Sequence, residues 1–462
     1  MRGIKTKTRR LRFWWHLTFA YALKYRFHVL SAILTSTILI FTLYKITPIV
    51  FRTNLVTIGY VGSYTVETIP AEILSLATQP LIGLDQSGKP IPSIASNWTV
   101  ADGGKTYIVF LKDNLKWHDD TNVTAKDISI AIANVQITAL NNKTLQFKLP
   151  NPISSFPVIL NKPVFKTNTF YGTGQFRIVS IDKVDNIVKK ISLVAKDKNL
   201  PRVEIKFYPT ENQAKEALKI GDIKKVSVAN AKEFEKWPNL QVTKGADESE
   251  VVTIFYNTKD GTLSDKDLRQ SLTYAINKSD FDGEVAFGPY SPSNWAFNPD
   301  VKKYEYNPAK AKELLSKSQS GGPKPKITLT VIGSLNYLGQ QIKKDWETTG
   351  VDVEVKTEKS IPKQFQALLA IDKIQADPDQ YTLWHSSQAS STNITSYKNI
   401  KIDKLLEDAR TTQDEKERKQ LYQDFQKFLV DDAPAAFLYY PNKYQIEYKN
   451  VEKLLKKLPA GS

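Results

Sequence analysis

The sequence predicts a mixed α/β body of two or more lobes, carried behind one N-terminal membrane-spanning helix. Three observations predict it. The chain has 462 residues, more than one hydrophobic core commonly serves. Lys326 to Val355 alternates strand, helix and strand, the pattern of a parallel α/β unit. Phe27 to Tyr44 is an apolar run without Asp, Glu, Lys or Arg, close to the roughly 20 residues that a bilayer span requires.

Residues 1–52 are read as a basic cytoplasmic segment and anchor. Arg2, Lys5, Lys7, Arg9, Arg10, Arg12, Lys24 and Arg26 precede the apolar run, which places the N-terminus in the cytoplasm and the body outside the cell membrane. Trp14, Trp15 and Tyr21 suit an interfacial helix on the inner leaflet. A cleaved secretory leader is the competing reading, but no A-x-A site follows the run. This segment also explains the net charge of +16: it holds ten of the 64 Lys and Arg and none of the 48 acidic residues, which leaves 54 against 48, a net of +6, beyond it. A body so mildly basic needs no nucleic-acid partner, and none is expected.

Along the body, Asn97 to Leu111 reads as strand, turn and strand, with Asp102, Gly103 and Gly104 supplying the turn. Thr124 and Asp127 form a T-x-x-D cap ahead of Ile128, Ile130 and Ala131, which predicts a helix there. Leu145, Phe147 and Leu149 alternate with polar residues, as do Val203, Ile205 and Phe207, so both stretches are strands. Ser264 and Asp267 cap a helix through Leu268, Leu272, Ala275 and Ile276; Asn307 followed by Pro308 caps another through Ala311, Leu314 and Leu315. Ser318 to Lys326 is a surface loop. Then come the strand Lys326 to Gly333, a helix marked by Leu338, Ile342 and Trp346 with Gly350 as its stop, and a strand through Val351, Val353 and Val355. Helices over Asp403–Ala409 and Lys416–Val430 precede a closing strand-like stretch, FLYYPNKYQI.

No catalytic constellation emerges. Cysteine is absent, which excludes disulfides, thiolate metal sites, a cysteine nucleophile and a lipid-modified cysteine. H-E-x-x-H and G-x-S-x-G do not occur, and GGKT at Gly103 to Thr106 lacks the upstream glycine of a phosphate loop. His118, beside Asp119 and Asp120, reads as structural rather than metal-binding. His385 is followed by Ser386 and Ser387; on one strand, neighbouring side chains point to opposite faces, which disfavours a triad. Asp377-Pro378-Asp379 has too few ligands for calcium and reads as a turn, with Asp377 structural. The chain is therefore expected not to be an enzyme and to need no cofactor or metal.

Five stretches in order carry a resemblance. They are Gly88–Ile132 (GKPIPSIASNWTVADGGKTYIVFLKDNLKWHDDTNVTAKDISIAI), Tyr171–Ile178 (YGTGQFRI), Phe255–Phe281 (FYNTKDGTLSDKDLRQSLTYAINKSDF), the pair GPYSPSNWAFNPDV and YNPAKAKELL, and finally DPDQYTLWHSSQ, IDKLLEDAR and DAPAAFLYYP. The chain resembles solute-binding protein family 5, the oligopeptide-, dipeptide- and nickel-binding proteins of ABC importers. The resemblance implies a periplasmic-binding-protein-like clamshell. Its first lobe would comprise residues 53–92, 166–256 and 433–462, with a small subdomain over 93–165 and a second lobe over 257–432. It implies capture of peptides or similar small solutes and delivery to ABC transporter permease subunits. Carried over by motif position, the ligand-binding candidates are Tyr64, Gly172, Thr173, Gly174, Trp295, Trp384, His385, Ser386, Ser387, Asn393 and Tyr397. The family's amine-holding Asp is replaced by Ile374. An anchored hydrolase and an adhesion or chaperone-like module using the same cleft are the alternatives.

Overall fold

The computed structural model describes residues 13–17, 19–21, 24–50, 54–319 and 322–459, without the side chains of residues 29, 30, 32, 33, 43–50 and 319. The chain divides into two units, Met1–Leu55 and Val56–Ser462. In the first, a 25-residue helix, Arg26–Val50, covers the apolar run. The Thr35 hydroxyl donates to the Ser31 carbonyl at 2.9 Å and the Thr42 hydroxyl to that of Leu39 at 3.0 Å, so these polar groups are returned to the backbone. Among the described residues no helix is long and apolar enough to cross a membrane. The expected span depends in part on side chains outside the description, and the structure does not show it. The basic residues Arg2 to Arg12 and Arg52 also lie outside the described residues, as do Ser320 and Gly321 of the predicted loop.

The second unit is built on one twelve-stranded mixed sheet with a separate four-stranded sheet beside it. The chain crosses the large sheet along Ala435–Tyr448. The first half of this closing strand pairs antiparallel with Glu250–Tyr256 and Gly283–Val285. Its second half pairs antiparallel with Leu240–Ala246 and Lys225–Val228. The change of partners falls at Pro441 and Asn442. Directly opposite, the turn Asp247–Ser249 joins Leu240–Ala246 to Glu250–Tyr256. Two strands thus run side by side from one half of the sheet to the other.

Around that crossing the local periodicities hold. The α/β unit consists of parallel strands Lys326–Ile332 and Asp352–Glu358 joined by the helix Asn336–Thr349. Gly350 ends that helix at φ 118°, a conformation glycine adopts without a β-carbon penalty. Trp346 is fully buried and its indole N–H donates to the Leu272 carbonyl at 2.9 Å. Helices Ile400–Thr411 and Glu415–Asp432 are N-capped by Asn399 and Asp414. In the four-stranded sheet the hairpin Ala95–Ala101 and Thr106–Leu111 turns through Asp102 and Gly103, both left-handed.

Two expectations are corrected. Thr124 and Asp127 do form a capping box, but it closes a three-residue 3-10 turn, Ala125–Asp127, and no helix follows. Ile128, Ile130 and Ile132 recur with period two and are β-branched, which favours extended chain over helix; Ile128 bridges to Lys166. The helix Lys266–Tyr274 is capped by Asp265, whose carboxylate accepts from the Leu268 N–H at 3.0 Å, one residue later than the sequence pattern suggested.

Candidate functional site

A cavity of about 1010 Å3 opens where the closing strand changes partners. Its walls come from far-separated parts of the chain: Tyr60 and Val61 at the end of the first strand, Leu55–Val61, and Tyr64 beyond it, Lys225 to Ala229, Asp247 and Glu250 at the turn, Ile371, Pro441 to Lys443, and Leu455, Lys456, Leu458 and Pro459. The size lies at the upper end of the roughly 300–1,000 Å3 typical of small-molecule pockets.

The walls carry both signs of charge. Burial alone would raise the Asp247 carboxyl, but hydrogen bonds from Ser249 and the Lys443 ammonium at 3.1 Å hold it below the usual range. Burial pushes the Tyr60 hydroxyl up, and the Glu72 charge adds to this. Burial lowers Lys225, with Glu447 opposing. Glu211 accepts from the Ala229 N–H at 2.9 Å and pairs with Lys215 at 2.8 Å. No histidine is among the lining residues. Apolar surface from Ile58, Ile371 and Leu455 alternates with these groups. Such a wall suits a guest with polar groups of both charges and some apolar surface.

Of the residues singled out from the sequence, only Tyr64 lines this cavity. Its ring meets Phe207 edge-on at 5.4 Å and its hydroxyl donates to the Val61 carbonyl at 3.0 Å. Gly172, Thr173 and Gly174 lie against the backbone of Leu76 to Gln79. The Gly174 N–H donates to the Ala77 carbonyl at 3.0 Å, and the Thr173 hydroxyl accepts from the Gln79 N–H at 3.3 Å. The candidates between Trp295 and Tyr397 form a separate knot. Trp295, Trp384 and Tyr397 belong to one apolar cluster, at 8%, 1% and 4% exposure. The Trp384 indole donates to Gln380 at 2.8 Å. Tyr397 donates to Asp432 at 2.6 Å, and the Asn393 amide donates to the Tyr397 carbonyl at 2.9 Å.

His385 and the two serines lie on a short 3-10 turn, not on a strand. The Ser387 N–H donates to His385 Nδ1 at 3.1 Å, so Nε2 carries the proton and faces Glu407 at 3.2 Å. The ring stacks on Tyr381 with centroids 4.1 Å apart. The Ser386 N–H donates to Asp403 at 2.8 Å. His385 therefore caps a turn and ties it to the helix Ile400–Thr411.

His118 clamps the glycine pair. Nδ1 accepts from the Gly172 N–H at 3.1 Å and Nε2 lies 3.0 Å from the Gly174 carbonyl, to which its N–H donates. Burial lowers its pKa, only partly offset by the Gly174 carbonyl. The neutral form is therefore favoured on folding. The stability it contributes is present above the unfolded value of about 6.5 and is lost as pH falls through the lower folded value. His118→Asn is expected to cost about 1–3 kcal/mol at pH 7.5, because a buried N–H loses its partner. The gap to the unaltered chain should shrink in thermal melts between pH 7.5 and 5; a gap that widens on acidification would contradict this role.

The cavity residues Asp247, Glu250 and Lys443 were not singled out from the sequence. Their only local signal is Pro441 interrupting a strand-like stretch. Comparison with known proteins adds the following. The model for bacterial extracellular solute-binding proteins, family 5 Middle, matches residues 89–135 and 129–393. An oligopeptide-binding protein, AppA, of Bacillus subtilis is 26% identical over 468 residues, covering 84% of this chain and 85% of that one. The dipeptide-binding protein of Escherichia coli is 24% identical over 461 residues, covering 78% and 83%. Among solved structures, the ABC transporter substrate-binding protein CtaP of Listeria monocytogenes superposes with a TM-score of 0.73 at 22% identity, covering 85% of this chain and 94% of that one. NikZ of Campylobacter jejuni, solved with Ni(L-His), gives 0.68 at 22%, covering 86% and 95%. These likenesses establish a periplasmic-binding-protein-like mixed α/β fold.

Proposed function

The chain belongs to the bacterial extracellular solute-binding proteins of family 5, and from that premise we propose that it captures peptides, or similar small solutes, for an ABC importer. The observation that carries this reading is the cavity of about 1010 Å3 at the strand crossing, lined by groups of both charges. An extended peptide offers backbone donors and acceptors that every sequence shares, and a wet, polar wall accommodates them without chemistry. The relatives named for oligopeptides and dipeptides favour this guest.

In this reading residues 53–92, 166–256 and 433–462 form the first lobe, 257–432 the second, and 93–165 a subdomain. With the strand crossing as hinge, closure would bring the lobes together away from it. Between the first and second lobes the Trp295 N–H donates to the Ser87 carbonyl at 3.1 Å and Lys89 pairs with Glu415, and from the subdomain the Ser154 N–H donates to the Arg410 carbonyl at 2.8 Å. The closed form would be what the permease subunits read. Single-pass anchoring in the cell membrane is part of the proposal and rests on the sequence alone: the apolar run and the cationic bias before it. The candidates Trp295, Trp384, His385, Ser386, Ser387, Asn393 and Tyr397 would then act by shaping the second lobe, with Tyr64 meeting the guest.

The test is a fluorescence titration of the full chain in detergent with peptides of two to eight residues, followed by mass spectrometry of the recovered peptide. Saturable tryptophan quenching with intact peptide is the expected result. Recovery of cleaved peptide would point instead to the hydrolase, and no saturation with any peptide would end the proposal.

A further inference from the structure

The sequence VEKLLKKL places Val451, Leu454, Leu455 and Leu458 at the i, i+3, i+4, i+7 spacing of one helical face, with the lysines elsewhere. The structure uses that face. The helix Glu452–Leu455 follows a 3-10 turn directly after the closing strand. Leu454, Leu455 and Leu458 pack on the cluster of Val56, Ile58, Ile69 and Ile73, and Leu458 is buried. Polar contacts fix the segment at both ends. The Lys449 N–H donates to the Asn239 carbonyl at 3.0 Å and its ammonium to the Pro238 carbonyl at 2.7 Å. The Lys457 ammonium donates to the Asn199 carbonyl at 2.9 Å.

The same segment also faces the cavity, through Leu455, Lys456, Leu458 and Pro459. It touches one cluster with Tyr60 and Tyr64, which line that cavity as well. We propose that Glu452–Pro459 is a fixed end wall of the guest cavity and sets the greatest length of guest it accepts. This rests on the reading of the cavity as the peptide site. The physical argument is reach. An extended chain advances about 3.3 Å per residue, so a wall that does not move penalises each further residue. A wall tied to the first lobe by buried leucines and three carbonyl contacts moves only at the cost of exposing that apolar surface.

Two variants of the full chain move the wall in opposite directions. The first ends at Val451 and removes it. The second, Lys456→Trp, adds bulk at an exposed position of the cavity face and does not threaten folding. Affinities are measured for an alanine peptide series of two to eight residues. The shortened chain should gain at least about tenfold for the longest peptides relative to the dipeptide. Lys456→Trp should lose about tenfold for them relative to the dipeptide. Tenfold corresponds to about 1.4 kcal/mol. If the peptides bind all three chains with one length profile, the end wall is refuted and the peptide site stands. If no peptide binds the unaltered chain, the reading of the cavity falls and the wall with it.

Discussion

Asp377→Ala is expected to destabilise the body by about 3–5 kcal/mol, the range for removing one partner of a buried ion pair. Asp377 and Arg418 are each only 10% exposed at the side chain and meet at 2.7 Å. Asp377 also accepts from the Asp379 N–H at 2.9 Å, which sets the Asp-Pro-Asp turn. The guanidinium reaches further: Nε donates to the Ala409 carbonyl at 3.2 Å, and the group lies over the Trp295 ring at 5.4 Å. Burial alone would lower the Arg418 pKa, yet the Asp377 charge more than compensates and holds it above its ordinary value. Removing the carboxylate strands this cation among Trp295, Tyr422 and the helix ends. The double variant Asp377→Ala with Arg418→Met should therefore recover much of the loss, since no charge is left buried. Urea midpoints followed by tryptophan fluorescence measure both. If Asp377→Ala kept the parental midpoint but abolished peptide binding, the carboxylate would be a guest-holding group instead.

Gly172→Ala should be the next largest effect, at or above the roughly 1–3 kcal/mol of ordinary overpacking. Gly172 has no unusual φ, so the constraint is space. A β-carbon there would run into the Ala77 carbonyl oxygen and the Thr78 side chain, closer than real β-carbons approach. At Gly174 a β-carbon would lie 2.6 Å from the Ala77 carbonyl carbon and 2.7 Å from the Leu76 oxygen. These are backbone atoms and cannot rotate aside. Either substitution also moves a peptide group bonded to His118, so damage should spread to the loop at Trp117 and His118. Gly261→Ala serves as the control, because nothing lies within 4 Å of a β-carbon there. Thermal midpoints of the three variants decide the matter. Gly172→Ala melting with Gly261→Ala would show that the seam yields more easily than its packing implies.

What was legible in the sequence follows one rule. Signals confined to a few consecutive residues came through, because the periods of strand and helix are properties of neighbours. Val351, Val353 and Val355 announced a strand, and Leu338, Ile342 and Trp346 a helix face, with no knowledge of the partner. The same locality misled at Ile128 to Ile132, where a correct cap was followed by a period-two run. Motif order across the whole chain carried the family. Burial was not legible: Trp384 and Tyr64 are both aromatic candidates for the site, yet one is sealed in a cluster and the other faces the cavity.

The sequence by itself determined the α/β elements, the family and the absence of any cysteine chemistry. Only the tertiary structure decided where the cavity lies and which side chains wall it. Tyr64, Lys225, Asp247, Ile371, Lys443 and Leu455 are spread over nearly 400 positions, and they meet because the closing strand Ala435–Tyr448 pairs with strands of both halves of the sheet. Strand pairing of that range is set by long-distance hydrogen-bond register, which leaves no mark on any short stretch of residues.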